Sequence, residues 1–87
     1  MIIYELTYKY YQYNSGAADN GHYTRTLTFS DKEQCLVVYH KMQASIAGKL
    51  DEEENRDFQD DYIPYMGYFT SASVSRVQKV IIRGAKL

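Results

Sequence analysis

Several residue types are scarce in this chain, and each scarcity removes a class of answer. One cysteine rules out a disulfide within the chain, and the count leans toward a reducing compartment. One proline and five glycines give no sign of disorder. No apolar run exceeds a few residues, so no stretch is expected to span a membrane. Met1-Ile2-Ile3 is followed within two residues by Glu5. It has neither the basic start nor the long apolar region of a signal peptide, and the expected location is the cytoplasm. Charge of one sign is not in excess either. The net charge of -1 provides no global attraction to nucleic acid or to an anionic membrane.

Motifs of chemistry are equally sparse. There is no HExxH pattern, no cysteine pair, no Walker loop and no dinucleotide fingerprint. Cys35 and His40 are the obvious nucleophile and base, but five helical residues set them about 140° apart. Cys35 reads as a small core residue, and the two histidines as non-catalytic. Asp51, Glu53, Asn55 and Asp57 alternate like the ligands of a calcium loop. Arg56 then stands where the sharp turn needs glycine, and Tyr62 where the bidentate glutamate belongs. The chain is expected to be no enzyme and to hold no metal or cofactor.

What the chain does have is tyrosine: ten, beside three phenylalanines and no tryptophan. A small core built from phenols must place many hydroxyls at its margin, because a buried hydroxyl needs a partner. Eighty-seven residues make one domain with one modest core.

Met1 to Tyr13 alternates as a strand, with Ile2, Tyr4, Leu6, Tyr8 and Tyr10 on the side expected to face the core. Asn14 to Gly21 reads as a turn. His22 to Phe29 is the second strand of an antiparallel hairpin. Leu27 and Phe29 point inward, Arg25 lies at the margin, and Thr24, Thr26 and Thr28 form a solvated row. Ser30 to Gly48 is the best-specified element. Ser30 and Glu33 form a candidate capping box, Cys35, Val38, Tyr39, Met42 and Ile46 form an apolar seam, and Gly48 is the C-cap. Residues 49–62 carry too thin an apolar stripe for a well-packed second helix, since only Leu50, Phe58 and Tyr62 could anchor one. A wet helical extension or irregular turn is expected. Residues 63–71 and 74–83 read as two strands joined at Ser71-Ala72-Ser73, with a helix as the competing reading of 74–83, because Val74, Val77 and Ile81 also fit a helical period. The expected fold is therefore α+β, ββαββ, over residues 1–87: a four-stranded, mostly antiparallel sheet with one main helix packed on one face.

Charge is distributed unevenly. Asp51, Glu52, Glu53, Glu54, Asp57, Asp60 and Asp61 crowd one segment against Arg56 alone, whereas Arg76, Lys79, Arg83 and Lys86 end the chain without an acid. Tyrosine supplies rigid contact area, and clustered acids steer a basic partner. These features point to a non-catalytic protein-binding module, a small inhibitor or regulator of a basic or nucleic-acid-handling protein. Its expected contact residues are Tyr10, Tyr11 and the seven acids. The same features suit a homodimer joined at an edge strand or a tyrosine-rich sheet face. The alternative is direct nucleic-acid binding, in which Arg76, Lys79, Arg83 and Lys86, with Lys9 and Arg25, neutralise phosphates. Tyr10, Tyr11 or Tyr68 would then stack bases.

Overall fold

A computed structural model describes residues 1–13 and 21–78. Their elements run β1 (Ile2–Gln12), β2 (Gly21–Phe29), α1 (Lys32–Ile46), α2 (Glu52–Tyr62) and β3 (Gly67–Gln78). The sheet order is β2-β1-β3, and β1 pairs antiparallel with both neighbours. The four-stranded, one-helix ββαββ expectation is thus corrected to ββααβ, with three strands and two separate helices.

Two misread segments account for the correction. The first is β3, a single strand that passes straight through Ser71-Ala72-Ser73, opposite Lys9, Tyr8 and Thr7. These small residues serve packing rather than a turn. Ala72 lies on the helix side, where α1 comes close enough for Gln43 Nε2 to donate to the Ala72 carbonyl at 3.1 Å. The strand's irregularity is a register shift between Lys9 and Tyr10, which leaves Thr70 as the extra residue. The shift lets Phe69, rather than Thr70, reach the core. The second segment, 52–62, is a full helix despite its thin stripe. Phe58 is its single buried residue, worth about 1.5–3 kcal/mol. Polar contacts supply the rest of the docking: Tyr8 Oη donates to the Tyr62 carbonyl at 2.8 Å, and Ser45 Oγ donates to Asn55 Oδ1.

Both helices begin on aspartate. At α1 the N-cap is Asp31, not Ser30: the Asp31 carboxylate accepts from the Glu33 N–H at 2.9 Å. A charged acceptor one residue closer also complements the helix dipole. At α2, Asp51 accepts from the Glu54 N–H at 2.8 Å. The C-cap of α1 is Ala47, not Gly48; Gly48 follows it with φ +70°, a conformation that favours glycine. Gly48 N–H donates to the Ser45 carbonyl and Lys49 N–H to the Ala44 carbonyl, the paired bonds of a Schellman ending.

The core lies between the sheet and the helices. Leu6, Tyr8 and Tyr10 of β1 meet Cys35 and Met42 of α1, Phe58 of α2, Ile63 and Phe69. Tyr8 packs edge-on against Tyr62 and Phe69. Leu27 and Phe29 pack at the margin, and Arg25 remains exposed. On the reverse of the sheet no helix is placed among the described residues. There Thr7 lies between Thr26 and Ser73, and Lys9 between Thr24 and Ser71. The turn expected at 14–20 and the strand continuation expected at 79–83 lie outside the described residues.

Candidate functional site

The expected contact residues separate into three environments. Tyr10 is 4% exposed and stacks on Tyr23 with ring centroids 5.6 Å apart; it belongs to the core. Tyr11 lies on the reverse face. Its ring stacks on Tyr68 at 5.5 Å and takes the edges of Tyr13 and His22 at 4.9 and 5.1 Å. Tyr13 and Tyr68 are about half exposed, so this cluster forms an aromatic surface at one end of the sheet.

The seven acids are all exposed, and all belong to α2 or its cap. The helix turns Asn55, Phe58, Gln59 and Tyr62 toward the body of the protein and Glu52, Glu53, Glu54, Asp57, Asp60 and Asp61 outward. The two ends of α2 then carry different meanings. Asp51 caps the helix, and Glu52, Glu53 and Glu54 occupy its first turn, where the dipole favours negative charge by about 0.3–1 kcal/mol each. Helix formation is reason enough for them. Asp60 and Asp61 sit in the last turn, where the same field opposes them and where no basic residue stands. Their charge costs stability and is retained in the open.

The connector after α2 links the acids to the aromatic surface. Tyr65 and Met66 are 62% and 80% exposed, and an open cleft of about 410 Å³ lies between them and Glu52, Arg56 and Asp60. Tyr13 N–H donates to the Met66 carbonyl at 2.8 Å, tying the connector to the aromatic cluster. Gly67 permits this junction: a Cβ there would collide with the Tyr11 carbonyl oxygen. Sequence reasoning missed Tyr65 and Met66, which alternate within what looked like a strand. Their one signal was Pro64, which keeps the connector out of regular structure.

Of the four C-terminal bases of the alternative, Arg76 is the one described; of its two companions, Arg25 lies opposite Tyr8 on the helix side and Lys9 shares the reverse face with Tyr11. Arg76 lies opposite Tyr4, on the helix side of the sheet, whereas Tyr68 lies opposite Tyr11 on the reverse. Seven residues of β1, about 23 Å, separate the two positions. Lys79, Arg83 and Lys86 lie outside the described residues.

Cys35 is fully buried and its thiol is pushed up by desolvation, while His40 is exposed on another side of α1. Among the described residues, no group of three His, Cys, Asp or Glu side chains is arranged to hold a metal ion. No described helix is long and apolar enough to cross a membrane. Burial likewise raises the Tyr8 phenol, with the Arg25 charge opposing the shift, and raises Tyr62, with help from Asp61. What the described chain offers at this end is a small α+β domain with clustered tyrosines. Compared with family models, curated proteins and solved structures, the chain matches none.

Proposed function

We propose that this protein is a non-catalytic protein-binding module that engages a basic protein surface. Its contact area is the outer face of α2 together with Tyr65, Met66 and the adjoining Tyr13 and Tyr68. The observation that carries this reading is the pair Asp60 and Asp61, exposed in the turn where the helix dipole opposes them, with Asp60 on the wall of the cleft that Tyr65 and Met66 share. Exposed Tyr and Met supply contact area at low entropic cost, and the carboxylates steer a cationic partner and fix its register. A partner that handles nucleic acid presents the required charge. Carboxylates placed where phosphates would lie make this module its inhibitor or regulator.

The test separates binding from folding. A partner is captured from the native host, identified by mass spectrometry and titrated against Asp60→Lys/Asp61→Lys. This variant should unfold at a higher temperature, because the dipole favours cations at that end, yet bind at least about tenfold more weakly. Equal affinity in a folded variant would remove the acidic-surface reading.

A further inference from the structure

β2 is an outer strand, and among the described residues β1 is the only strand that pairs with it. Its nine residues include no proline and one charged side chain, Arg25, and its ladder with β1 has no register shift; Arg25 apart, the edge is undefended. Proline, charge and register shifts are the devices by which sheet edges ordinarily resist further pairing. The opposite edge strand, β3, does carry the shift. The helices pack mainly over β1 and β3, and an open groove of about 420 Å³ lies between the end of β2 and the first turns of α1. Phe29, Val37 and Val38 line it, with Asp31 and Glu33 among its walls. Val37 is 67% exposed, and Leu27 and Phe29 are half-buried.

We propose that β2 is a homodimerisation edge, paired antiparallel with β2 of a second copy about a two-fold axis at Leu27. The three-stranded sheet then becomes six-stranded, with both helix pairs on one side. Charge selects both the occupant and the register. A two-fold axis perpendicular to the sheet must pass through a residue, because opposite residues share a face. An axis at Arg25 would set two like charges against each other. At Leu27, the leucine meets its own copy, Thr26 meets Thr28, and Arg25 meets Phe29 one diagonal step from Asp31. Each copy thereby brings its cation to the acidic wall of the other's groove, twice over by symmetry. Arg25 is exposed and interacts with the Tyr8 phenol of its own chain, and a guanidinium has five N–H donors to distribute. Hydroxyl pairing is already a habit of this sheet: Thr7 Oγ1 and Thr26 Oγ1 lie 3.0 Å apart. An unrelated strand could use the same backbone groups, but it would not match both charged positions.

Sedimentation equilibrium of the whole chain tests this directly. The wild type should pass from monomer to dimer at roughly 10–100 µM, as suits one strand edge and a short helix flank. Thr26→Lys/Thr28→Lys places lysine opposite lysine on both sides of the axis and should remain monomeric throughout. Thr26→Glu/Thr28→Lys alters the same exposed positions but sets glutamate opposite lysine, and should dimerise at least as tightly as the wild type. If the lysine pair does not fold, Val37→Lys on the exposed helix flank replaces it, with the same loss of dimer expected. A wild type that stays monomeric, a lysine variant that dimerises unchanged, or two double variants that lose the dimer equally would each overturn the proposal.

Discussion

On the helix side of the sheet, β1 presents Leu6, Tyr8 and Tyr10, all buried, with Leu27, Ala72 and Val74 as cross-strand neighbours. On the reverse, the same strand presents Thr7 and Lys9 between Thr24, Thr26, Ser71 and Ser73. The backbone is common to both faces, so the difference is made entirely by side-chain alternation. Tyrosine does not distinguish them, since Tyr8 and Tyr10 are core while Tyr11 and Tyr68 form a surface cluster. The hydroxyl rows of the two outer strands make the distinction. A threonine or serine at every second position cannot anchor a core, so the helices have one side to cover.

The comparison breaks most completely on the covered face. Leu6→Ala should destabilise the protein by about 2–5 kcal/mol, because Leu6 has no exposed surface and belongs to a core cluster drawn from three strands and two helices. Chemical denaturation should show the loss as a lower midpoint. A value below about 1 kcal/mol would mean that the core centre lies elsewhere.

Alkaline pH gives a second, smaller effect on the same face. The folded state raises the phenols of Tyr8 and Tyr62 and the thiol of Cys35, in each case chiefly by desolvation. The fold therefore favours their neutral forms. Their contribution is fully present below the unfolded-state pKa values, near 8.5 for cysteine and about 10 for tyrosine, and is lost as pH rises through the higher folded-state values. The melting temperature should fall between about pH 9 and about pH 11. Tyr8→Phe should make that fall shallower. At neutral pH the same variant should cost about 0.5–1.5 kcal/mol for the lost bond to the Tyr62 carbonyl. An unchanged alkaline slope would show that Tyr8 does not titrate with unfolding.

The smallest effect belongs to the reverse face. Thr7→Val removes the exposed Thr7–Thr26 hydroxyl contact and keeps a β-branched side chain of nearly the same shape. Stability should change by less than about 0.5 kcal/mol. A larger loss would show that this face is load-carrying rather than a solvated surface.

The two helices differed in how far they could be read from sequence. The α1 seam was legible through Cys35, Val38, Met42 and Ile46 because burial recurs at helical spacing, and Gly48 marked its end. The cap was displaced by one residue because Ser30 and Asp31 are both competent acceptors, and only geometry chooses between them. For α2 the apolar pattern nearly vanished, because one phenylalanine and two polar links, Tyr8–Tyr62 and Ser45–Asn55, attach it to the body. Hydropathy does not register links of that kind. The same limit hid the candidate site: its acids were visible as a run, but Tyr10 and Tyr11 were indistinguishable as neighbours in a tyrosine-rich strand.

By itself the sequence determined the middle of the covered face (Leu6, Tyr8 and Tyr10), the first hairpin, the α1 seam and the concentration of acid after Gly48. Each is written in local spacing, and local spacing reports which side of an element avoids water. At the start of β1 the alternation misled, since Ile2 is exposed and Ile3, on the other side, is buried. Only the tertiary structure decided that 52–62 is a helix, that 67–78 is one strand, and that Asp60, Tyr65 and Met66 border one cleft. Those outcomes depend on pairing with a central strand and on hydrogen bonds between residues as far apart as Tyr8 and Tyr62. Contacts of such range leave no periodic trace in the segments that make them.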